Sequence, residues 1–549
     1  MKVYERLAEA FKAEGTKHIF GMMGDGNMYW MHALAKLGVT KFEVRHEGAG
    51  LGMADGFARV TRTPGVATAT CGPGVSQLAT ALLTASRARS PLVAFVGEHP
   101  MGDDEYNQQL KVEIFAAACE TGFVRVKTPD SVDDMVRKAF YRARVESRPI
   151  MLSAPMDVQQ KPFDDDEPYV PSTQVLTRGL IMPNPAALDK AVEIISNSKK
   201  PVIIVGRGAK WANAGDAVKK LAERTGAVIA TTLMAKTWLN EDEFHVGVSG
   251  TYGTRTSMKL FEESDCVIAV GASLNQFTTE HGYLYPNAKF VHLDTQTHVI
   301  MGNGRGADCY VQTDARTGVE ALESALAKRN FKATGYRTGE VRERLANAWE
   351  DRTQFDLDPG TVDPRLVITA LDDVIPDTIS LNTGSGATAG FSNILFRKQR
   401  PNVLAGHFYG CIGQMLPAAM GAIVATGNKP LVLVDGDASV MMHLAEFETA
   451  VRYNQPLLVV VMNNEMLGAE YYKLDVHKME AEQSCITTPD LGAVAVAFGG
   501  RGKLARSVED VRKAAAEWVA KPGPMMIDVR ISRSVIPLPY RRIHYGKDE

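Results

Sequence analysis

The sequence has few cysteines, little net charge and no long apolar run, and each shortage excludes a class of protein. Six cysteines are scattered through 549 residues without a CxxC spacing, so neither a disulfide framework nor a zinc site is expected. The formal net charge of -3, with acidic and basic residues intermingled, provides no attraction for nucleic acid or for an anionic membrane. No apolar run approaches the roughly 20 residues of a membrane span. The stretch MKVYERLAEAFKAEG begins as an amphipathic helix rather than a signal peptide, and these features together predict a cytoplasmic protein.

Short β-rich runs, each followed by a small or glycine-rich turn and then a helical pattern, recur along the whole chain. Examples are PVIIVGRGA, DCVIAVGAS, TISLNTGSGA, PLVLVDGDAS and PLLVVVMNN. Strands that alternate with helices favour parallel sheets with right-handed crossovers, so the predicted fold class is α/β with doubly wound parallel sheets. Two polar, nonperiodic segments, 159–173 and 329–364, read as linkers. They divide the chain into three predicted domains, 1–180, 185–330 and 355–549.

Two neighbouring predicted strands near the carboxyl terminus end in oxygen-bearing side chains. The first is followed by Asp435-Gly436-Asp437-Ala438-Ser439 and the second by Asn463-Asn464. A strand-turn-helix of this kind directs backbone N–H groups at a phosphate, whereas Asp437 would repel one. A Mg²⁺ ion resolves the conflict, because it accepts carboxylate, amide and phosphate oxygens together. The two loops therefore predict a magnesium-diphosphate site with Asp437 and Asn464 as ligands.

This stretch resembles the GDG…NN signature of thiamine diphosphate (ThDP) enzymes. The resemblance implies that Asp437, Asn464 and the carbonyl of Met466 bind the metal, and that the turn of Gly436, Ala438 and Ser439 lies at the diphosphate. Of the two aspartates in VDGDA, Asp437 is chosen because the E-x-x-T-A pattern of the following helix then fits Glu446, Thr449 and Ala450. Ala438 stands where the family often has glycine, a difference that concerns the shape of the turn.

Three further segments resemble the same family and extend the likeness over essentially the full chain. They are FEVRHEGAGLGMADGFARVTRTPGVATATCGPG, LNTGSGA and GHFYGCIGQMLPAAMGA. The resemblance implies that Glu47 shares a proton with the aminopyrimidine ring, that Gly384 and Ser385 contact the diphosphate, and that Ile412 supports the bent cofactor. It also implies a pyrimidine-binding, a middle and a pyrophosphate-binding domain, in that order. A homodimer or homotetramer with active sites at the subunit interface is implied as well.

The substrate side is less closely specified. Segments such as TCGPGVSQLATALLTASRARSPLVAFVGE resemble the acetolactate synthase and benzoylformate decarboxylase branch, and the paired histidines of pyruvate decarboxylases are absent from GEHPMGDDEYNQQ. The candidate substrate-side residues are His46, His99, Asn107, Gln108 and Gln109. His46 has an alternative interpretation as a helix cap. Glu470, Tyr471, Tyr472 and Lys473 replace the Gln-Trp element usual in acetolactate synthases.

Two other segments leave open questions. GTYGTRTS and GASLNQFTTEHG occupy the place where such synthases hold FAD, but with altered charges, so FAD stays an open alternative. The basic carboxyl-terminal stretch SRSVIPLPYRRIHYGKDE contains two prolines, which do not favour a regular helix. It is expected to be either a solvated tail or a lid that brings Arg541, Arg542 or His544 to a substrate carboxylate.

The sequence thus predicts a ThDP- and Mg²⁺-dependent C–C lyase or carboligase that acts on a 2-oxo acid or a 2-hydroxy ketone. One alternative is a non-ligating 2-oxo acid decarboxylase. A second is a catalytically silent ThDP-binding regulatory subunit. A third, a flavin or nicotinamide oxidoreductase, rests on the middle domain alone.

Overall fold

The computed structural model describes residues 1–103, 105–164, 167–175, 179–296 and 304–546. Within these residues the strands form three six-stranded sheets, and the strands that pair within each sheet run parallel. The predicted α/β fold with three parallel-sheet domains is therefore confirmed.

The first sheet has the strand order β2-β1-β3-β4-β6-β5. Its strands are β1 (His18–Gly21), β2 (Thr40–Glu43), β3 (Gly65–Ala69), β4 (Leu92–Glu98), β5 (Gly122–Arg125) and β6 (Pro149–Pro155). The accompanying helices are α1 (Val3–Ala13), α2 (Met28–Lys36), α3 (Glu47–Thr61), α4 (Pro73–Ser76), α5 (Ala79–Arg87), α6 (Val112–Ala118), α7 (Val132–Glu146), α8 (Met156–Gln159) and α9 (Ser172–Val175).

The second sheet has the order β12-β11-β10-β7-β8-β9, which is the classical order of dinucleotide-binding folds. Its strands are β7 (Pro201–Val205), β8 (Val228–Thr231), β9 (His245–Val248), β10 (Cys266–Val270), β11 (Lys289–Asp294) and β12 (Cys309–Gln312). Its helices are α10 (Pro185–Ser196), α11 (Arg207–Trp211), α12 (Gly215–Thr225), α13 (Arg255–Glu262), α14 (Gln276–Thr279) and α15 (Ala315–Lys328). A further helix, α16 (Gly339–Ala346), lies within the segment that the sequence indicated as the second linker.

The third sheet has the order β14-β13-β15-β16-β18-β17. Its strands are β13 (Ser380–Thr383), β14 (Val403–Ala405), β15 (Leu431–Gly436), β16 (Leu457–Asn463), β17 (Arg501–Ala505) and β18 (Met525–Arg530). Its helices are α17 (Pro364–Val374), α18 (Ala389–Leu395), α19 (Met415–Ala425), α20 (Asp437–Met442), α21 (Glu446–Arg452), α22 (Gly468–Val476), α23 (Leu491–Ala497), α24 (Val508–Ala520) and α25 (Leu538–Tyr545).

Central strands of these sheets are continuous apolar runs because helices cover both of their faces. All seven residues of β16, LLVVVMN, are buried, as are all five of β7, PVIIV. Alternation of apolar and polar residues would instead indicate a sheet with one face in solvent. The local sequence therefore fixes both the strands and their burial.

The first and third sheets share one strand order, which determines where a ligand can bind. In each, the first strand of the domain lies between the second and the third, so the chain leaves the sheet in opposite directions from the first and third strands. The loops that follow those two strands diverge and leave a crevice at the carboxyl edge of the sheet. In the third domain the two loops follow β13 and β15. In the first domain they follow β1 and β3.

The first and third domains pack together through α3 and α19. A single apolar cluster continues across this contact and contains residues of both domains, such as Leu51 and Leu416. The helices approach closely because glycines face the partner backbone: a Cβ on Gly56 would collide with the Ala418 carbonyl, and one on Gly421 with the Met53 carbonyl. The small residues of these two helices thus set the distance between the domains.

The carboxyl-terminal stretch corrects one sequence expectation. Residues Leu538–Tyr545 form α25, although two prolines seemed unfavourable to a helix. The helix is tolerated because Pro539 lies in its first turn, where its missing N–H would have had no helical partner.

Candidate active site

Loops with the predicted cofactor-binding residues meet at the crevice of the third sheet. The turn after β13 carries Gly384 and Ser385, and Gly436 and Asp437 lie where β15 ends and α20 begins. Gly384 lies so close to the carboxylate of Asp435 that a Cβ would collide with it. The structure therefore brings the two predicted diphosphate turns side by side.

Asp435 acts as the internal anchor of these turns. One of its oxygens accepts a hydrogen bond from the Gly436 N–H at 2.8 Å, and the other accepts one from the Ser439 hydroxyl at 2.7 Å. The Ser385 N–H also binds this carboxylate. Burial raises the pKa of Asp435 to about 7. Its oxygens are thus committed to holding the turns together.

Asp437 has a different environment, although it is only two residues away. Its side chain is buried, with a relative exposure of 2%, and its Oδ2 has no hydrogen-bond partner among the described residues. Burial raises the pKa of Asp437 to about 6, and the N–H groups of Asp437, Asn464 and Ala438 partly offset that rise. A buried carboxylate oxygen without a partner is costly, so a cation would satisfy this atom. Asp437, rather than Asp435, thus has the oxygen that suits a metal.

The loop after β16 lies beside Asp437, since β15 and β16 are neighbours in the sheet. Asn464 and Met466, the other two predicted ligands, are both buried in this loop. Between them Glu465 adopts a left-handed backbone conformation with φ 54°. Side-chain amide and backbone carbonyl oxygens are ligands that Mg²⁺ accepts.

The donor set fits a divalent cation only together with other ligands. The described residues contain no group of three or more His, Cys, Asp or Glu side chains that could hold a metal by themselves. One carboxylate, one amide and one carbonyl leave positions on Mg²⁺ for phosphate oxygens and water, as is usual for phosphate-bound magnesium.

The local structure accommodates Ala438 at the position where the family often has glycine. Ala438 is the second residue of α20 and does not have a positive φ. A glycine is therefore not required at this position by the backbone.

Ile412 and Ser439 lie next to the same turns. Ile412 is half-buried, and its Cγ2 is 3.9 Å from where a Cβ on Gly386 would be. The Ser439 hydroxyl accepts a hydrogen bond from the Gly413 N–H at 2.9 Å. The segment before α19 is thus fixed over the crevice by Ser439.

In the first domain Glu47 lies at the amino end of α3, beside the crevice of the first sheet. Its Oε1 is 3.3 Å from the position of a Cβ on Gly74, the second residue of α4. The Glu47 side chain is partly exposed within the single chain. A side chain at position 74 would therefore press against this carboxylate.

His46 has the capping role that the sequence left open. Its Nδ1 accepts a hydrogen bond from the Gly48 N–H at 3.0 Å, and its Nε2 is 3.2 Å from Oε1 of Gln77. The contact with Gly48 requires an unprotonated Nδ1, so the ring proton resides on Nε2, facing Gln77. The ring also contacts His443 of the third domain, with 5.3 Å between centroids. Burial lowers the pKa of His443 to about 4.

The other substrate-side candidates are divided between two places. Gln108 lies at the loop after β3, where its Oε1 accepts a hydrogen bond from the thiol of Cys71 at 3.0 Å. His99 and Gln109 form a separate pair after β4, with 3.4 Å between their Nε2 atoms. Asn107 is exposed. The structure thus brings both Gln108 and Glu47 to the segment 71–74 that follows β3.

The residues of α22, which follows the loop after β16, and those of α25 at the carboxyl terminus mostly contact other parts of the protein. Tyr472 is buried, and its hydroxyl donates to the Val535 carbonyl at 3.3 Å. Arg541 is 3% exposed and forms an ion pair with Asp351. Arg542 donates to the Thr251 carbonyl at 2.8 Å. Both arginines therefore have protein partners, and of the three residues predicted for a lid His544 remains the least constrained candidate.

Sequence reasoning missed Arg530 and Arg533, which contact the loop after β16. The Arg533 Nε donates to the carbonyl of Asn464 at 2.6 Å, and Arg530 pairs with Glu465 at 2.9 Å. Arg530 is the last residue of β18, which lies next to β16 in the sheet, and Arg533 comes three residues later. The only sequence signal is this spacing of two arginines.

No described helix has both the length and the apolar composition needed to cross a membrane.

Comparison with known families matches all three domains. Residues 1–118 match the description "Thiamine pyrophosphate enzyme, N-terminal TPP binding domain", residues 188–322 the "central domain", and residues 384–529 the "C-terminal TPP binding domain".

Several curated proteins are similar over nearly the full length. The acetolactate synthase large subunit of Parasynechococcus marenigrum (strain WH8102) is 31% identical over 550 residues, which cover 96% of this chain and 87% of that protein. The probable acetolactate synthase large subunit of Methanocaldococcus jannaschii is 28% identical, with 97% and 92% covered. The sulfoacetaldehyde acetyltransferase of Castellaniella defragrans is also 28% identical, with 92% and 88% covered. With its three domains matched and a relative similar throughout, the chain belongs to the thiamine pyrophosphate enzyme family, as a ThDP-dependent enzyme of the acetolactate synthase and pyruvate decarboxylase superfamily.

Proposed function

We propose that the protein is a ThDP- and Mg²⁺-dependent C–C lyase or carboligase, similar to acetolactate synthase, that acts on a 2-oxo acid or a 2-hydroxy ketone. The observation that carries this proposal is the buried Oδ2 of Asp437, which lies where the two proposed diphosphate turns converge and has no hydrogen-bond partner in the part of the chain that the structure describes. A Mg²⁺ ion with a diphosphate satisfies this oxygen and the surrounding N–H groups together.

Each predicted residue then has a role. Asp437, Asn464 and the Met466 carbonyl would hold Mg²⁺. The turn residues Gly384, Ser385, Gly436, Ala438 and Ser439 would lie along the diphosphate. ThDP, when bound, supplies an electron sink for the pair released when a bond to a carbonyl carbon breaks.

Glu47 would hold and release a proton at a ring nitrogen of the cofactor. The position of its carboxylate beside Gly74, at the start of the helix that follows β3, supports this assignment. Ile412 would pack against the cofactor from the third domain.

The fate of the substrate carbon distinguishes the candidate reactions. Relatives named as a synthase and as an acetyltransferase favour transfer to an acceptor over release of a free aldehyde. Gln108, together with His46, His99 and Gln109, supplies the polar groups near the first-domain crevice that could orient a substrate carbonyl or carboxylate.

The assembly and the location of the protein are also proposed. The protein would function in the cytoplasm as a homodimer or homotetramer whose active sites are completed at the subunit interface. A flavin in the middle domain stays a prediction, and the visible absorption spectrum of the purified protein tests it.

Product analysis tests the proposed function. The protein is reconstituted with ThDP and Mg²⁺ and given a panel of 2-oxo acids, each with and without an acceptor aldehyde or 2-oxo acid. A condensed hydroxy ketone or hydroxy acid supports the carboligase, whereas an aldehyde formed regardless of acceptor identifies a non-ligating decarboxylase. Failure of the loaded protein to exchange the C2 proton of ThDP would instead identify a silent regulatory subunit.

A further inference from the structure

The loop after β16 contains two of the three proposed metal ligands in an unusual backbone arrangement. Asn464 and Met466 are separated by Glu465, whose φ of 54° lies in the left-handed region that non-glycine residues rarely occupy. With this conformation at Glu465, the side chain of Asn464 and the carbonyl of Met466 would be able to bind the same ion. The shape of the loop therefore needs support from outside.

Two arginines, one at the end of β18 and one three residues later, provide this support. The peptide group between Asn464 and Glu465 is held at both ends, because its N–H donates to Oδ1 of Asn463 at 3.3 Å and its carbonyl accepts from Nε of Arg533 at 2.6 Å. The carboxylate of Glu465 accepts from Arg530 at 2.9 Å and lies 3.5 Å from Arg533.

Other contacts of the loop involve backbone groups on its far side. The Glu465 carbonyl accepts from the Ile486 N–H at 2.9 Å, and the Leu467 N–H donates to the Ser484 carbonyl at 2.8 Å. These bonds anchor the loop to residues 484–486 but do not hold the carbonyl of Asn464. Among the described residues, Arg533 is the side chain that fixes it.

We propose that Arg533 is a positioning residue for the metal loop. It fixes the carbonyl of Asn464 away from the ion and supports the left-handed Glu465, so that the Asn464 amide oxygen and the Met466 carbonyl face the same cation as Asp437. This inference rests on the proposed function, because it assigns Arg533 a role toward Mg²⁺.

Cation selectivity distinguishes positioning from general stabilisation. Mg²⁺ requires near-ideal octahedral geometry at short distances, whereas Ca²⁺ accepts six to eight ligands in flexible arrangements. Loss of a group that only stabilises the fold should weaken the binding of both ions equally. Loss of a group that sets the loop geometry should weaken the binding of Mg²⁺ more than that of Ca²⁺.

The experiment measures the Mg²⁺ and Ca²⁺ concentrations that half-saturate ThDP binding, by titration calorimetry on the full chain. For Arg533→Ala we expect a rise of about tenfold or more for Mg²⁺ and a clearly smaller rise for Ca²⁺. The matched control is Arg512→Ala, which removes an exposed arginine paired with Asp373 in the same domain and should leave both values unchanged. If Arg533→Ala does not fold, Arg533→Lys is measured instead, since lysine keeps the charge but lacks the Nε–H donor.

A rescue variant tests the proposed mechanism directly. Glycine occupies the left-handed region without strain, so adding Glu465→Gly to Arg533→Ala should recover part of the Mg²⁺ affinity. Equal effects on both cations, or no effect on either, would overturn the inference. A wild-type protein that binds no ThDP with either cation would instead refute the proposed function itself.

Discussion

The carboxylate of Glu446 accepts a hydrogen bond from the backbone N–H of His46 at 3.0 Å, directly before Glu47. The same oxygen accepts from the Arg45 N–H at 2.9 Å. Glu446 begins α21, the second helix after the proposed metal turn. One buried side chain therefore connects the proposed metal-binding domain to the start of the helix that carries Glu47. Glu446 thus joins the first domain to the third close to Glu47, on which the proposed chemistry depends.

Replacing Glu446 should weaken this connection. Glu446→Ala leaves two N–H groups without their acceptor, which should lower the free energy of unfolding by about 1–3 kcal/mol. Glu446→Gln keeps one acceptor oxygen and should cost less. Glu448→Ala, in the same helix but with its carboxylate in surface ion pairs, is the control and should change stability by less than about 1 kcal/mol. Urea denaturation measures all three, and equal effects at 446 and 448 would contradict the assigned role.

The proposed roles of Glu47 and Asp437 predict different defects. Glu47→Gln should bind ThDP and Mg²⁺ nearly normally but lose a factor of about 10²–10⁴ in turnover, the usual contribution of a proton-transfer group. Asp437→Ala should lose Mg²⁺-dependent ThDP binding. Calorimetric titration and steady-state rates separate the two. Normal binding and turnover in both variants would show that the roles are wrongly assigned.

Co-expression of the same two variants tests whether the site is shared between subunits. If Glu47 of one subunit acts with Asp437 of another, a mixed dimer has one intact site, and random mixing should recover about a quarter of wild-type activity. If both residues of one site come from one chain, every site carries a lesion and no activity returns. The individually expressed variants, mixed without subunit exchange, are the control.

Close packing between α3 and α19 makes Gly421 sensitive to substitution. Gly421→Ala places a methyl group against the Met53 carbonyl, so it should destabilise the protein by about 1–3 kcal/mol or more through overpacking. Gly339→Ala is the control, because nothing lies within 4 Å of the added methyl group. The midpoint of thermal unfolding should fall for the first variant and stay or rise for the second.

His245 of the middle domain predicts a pH dependence of stability. Burial lowers its pKa from 6.5 to about 4, and its Nδ1 accepts from the Gly247 N–H at 3.2 Å. The unfolded chain binds a proton near pH 6.5 and the folded chain only near pH 4, so this contribution is fully present above pH 6.5 and is lost as the pH falls toward 4.

His245→Asn keeps an acceptor for Gly247 but does not titrate. Between pH 6.5 and 4 the variant should lose stability less steeply than the wild type, by up to about 1.4 kcal/mol per pH unit. Thermal unfolding measured across this range checks the prediction. Parallel curves for the two proteins would mean that His245 does not remain neutral in the folded chain.

Local patterns were sufficient to predict the sheets and the two strand ends. The buried runs of β15 and β16 and the oxygen-bearing residues after them are contiguous in sequence, so their order and spacing could be recognised directly. From the sequence, only the register of the motif distinguished Asp437 from Asp435 as the predicted metal ligand. The physical difference is that the Asp435 carboxylate accepts hydrogen bonds, whereas Oδ2 of Asp437 has no partner among the described residues. This difference depends on Gly384 and Ser439 lying close to Asp435 in space.

Other features were out of reach of local reasoning. Glu446 entered the sequence argument only as a register check, because its partners lie 400 residues earlier in the chain. Arg533 was missed, because its contact with Asn464 depends on β18 pairing with β16. The helix α25 was missed because the position of Pro539 relative to the helix start determines whether proline is tolerated.

By itself the sequence determined the alternation of strands and helices, the three domains and the family to which the chain belongs, since these depend on hydrophobic periodicity and on motifs within short stretches. Tertiary structure alone decided which carboxylate has an oxygen without a hydrogen-bond partner among the described residues, which arginine contacts the loop after β16 and which glutamate joins the first domain to the third. Those outcomes follow from strand order and helix packing, which bring together groups that no local pattern relates.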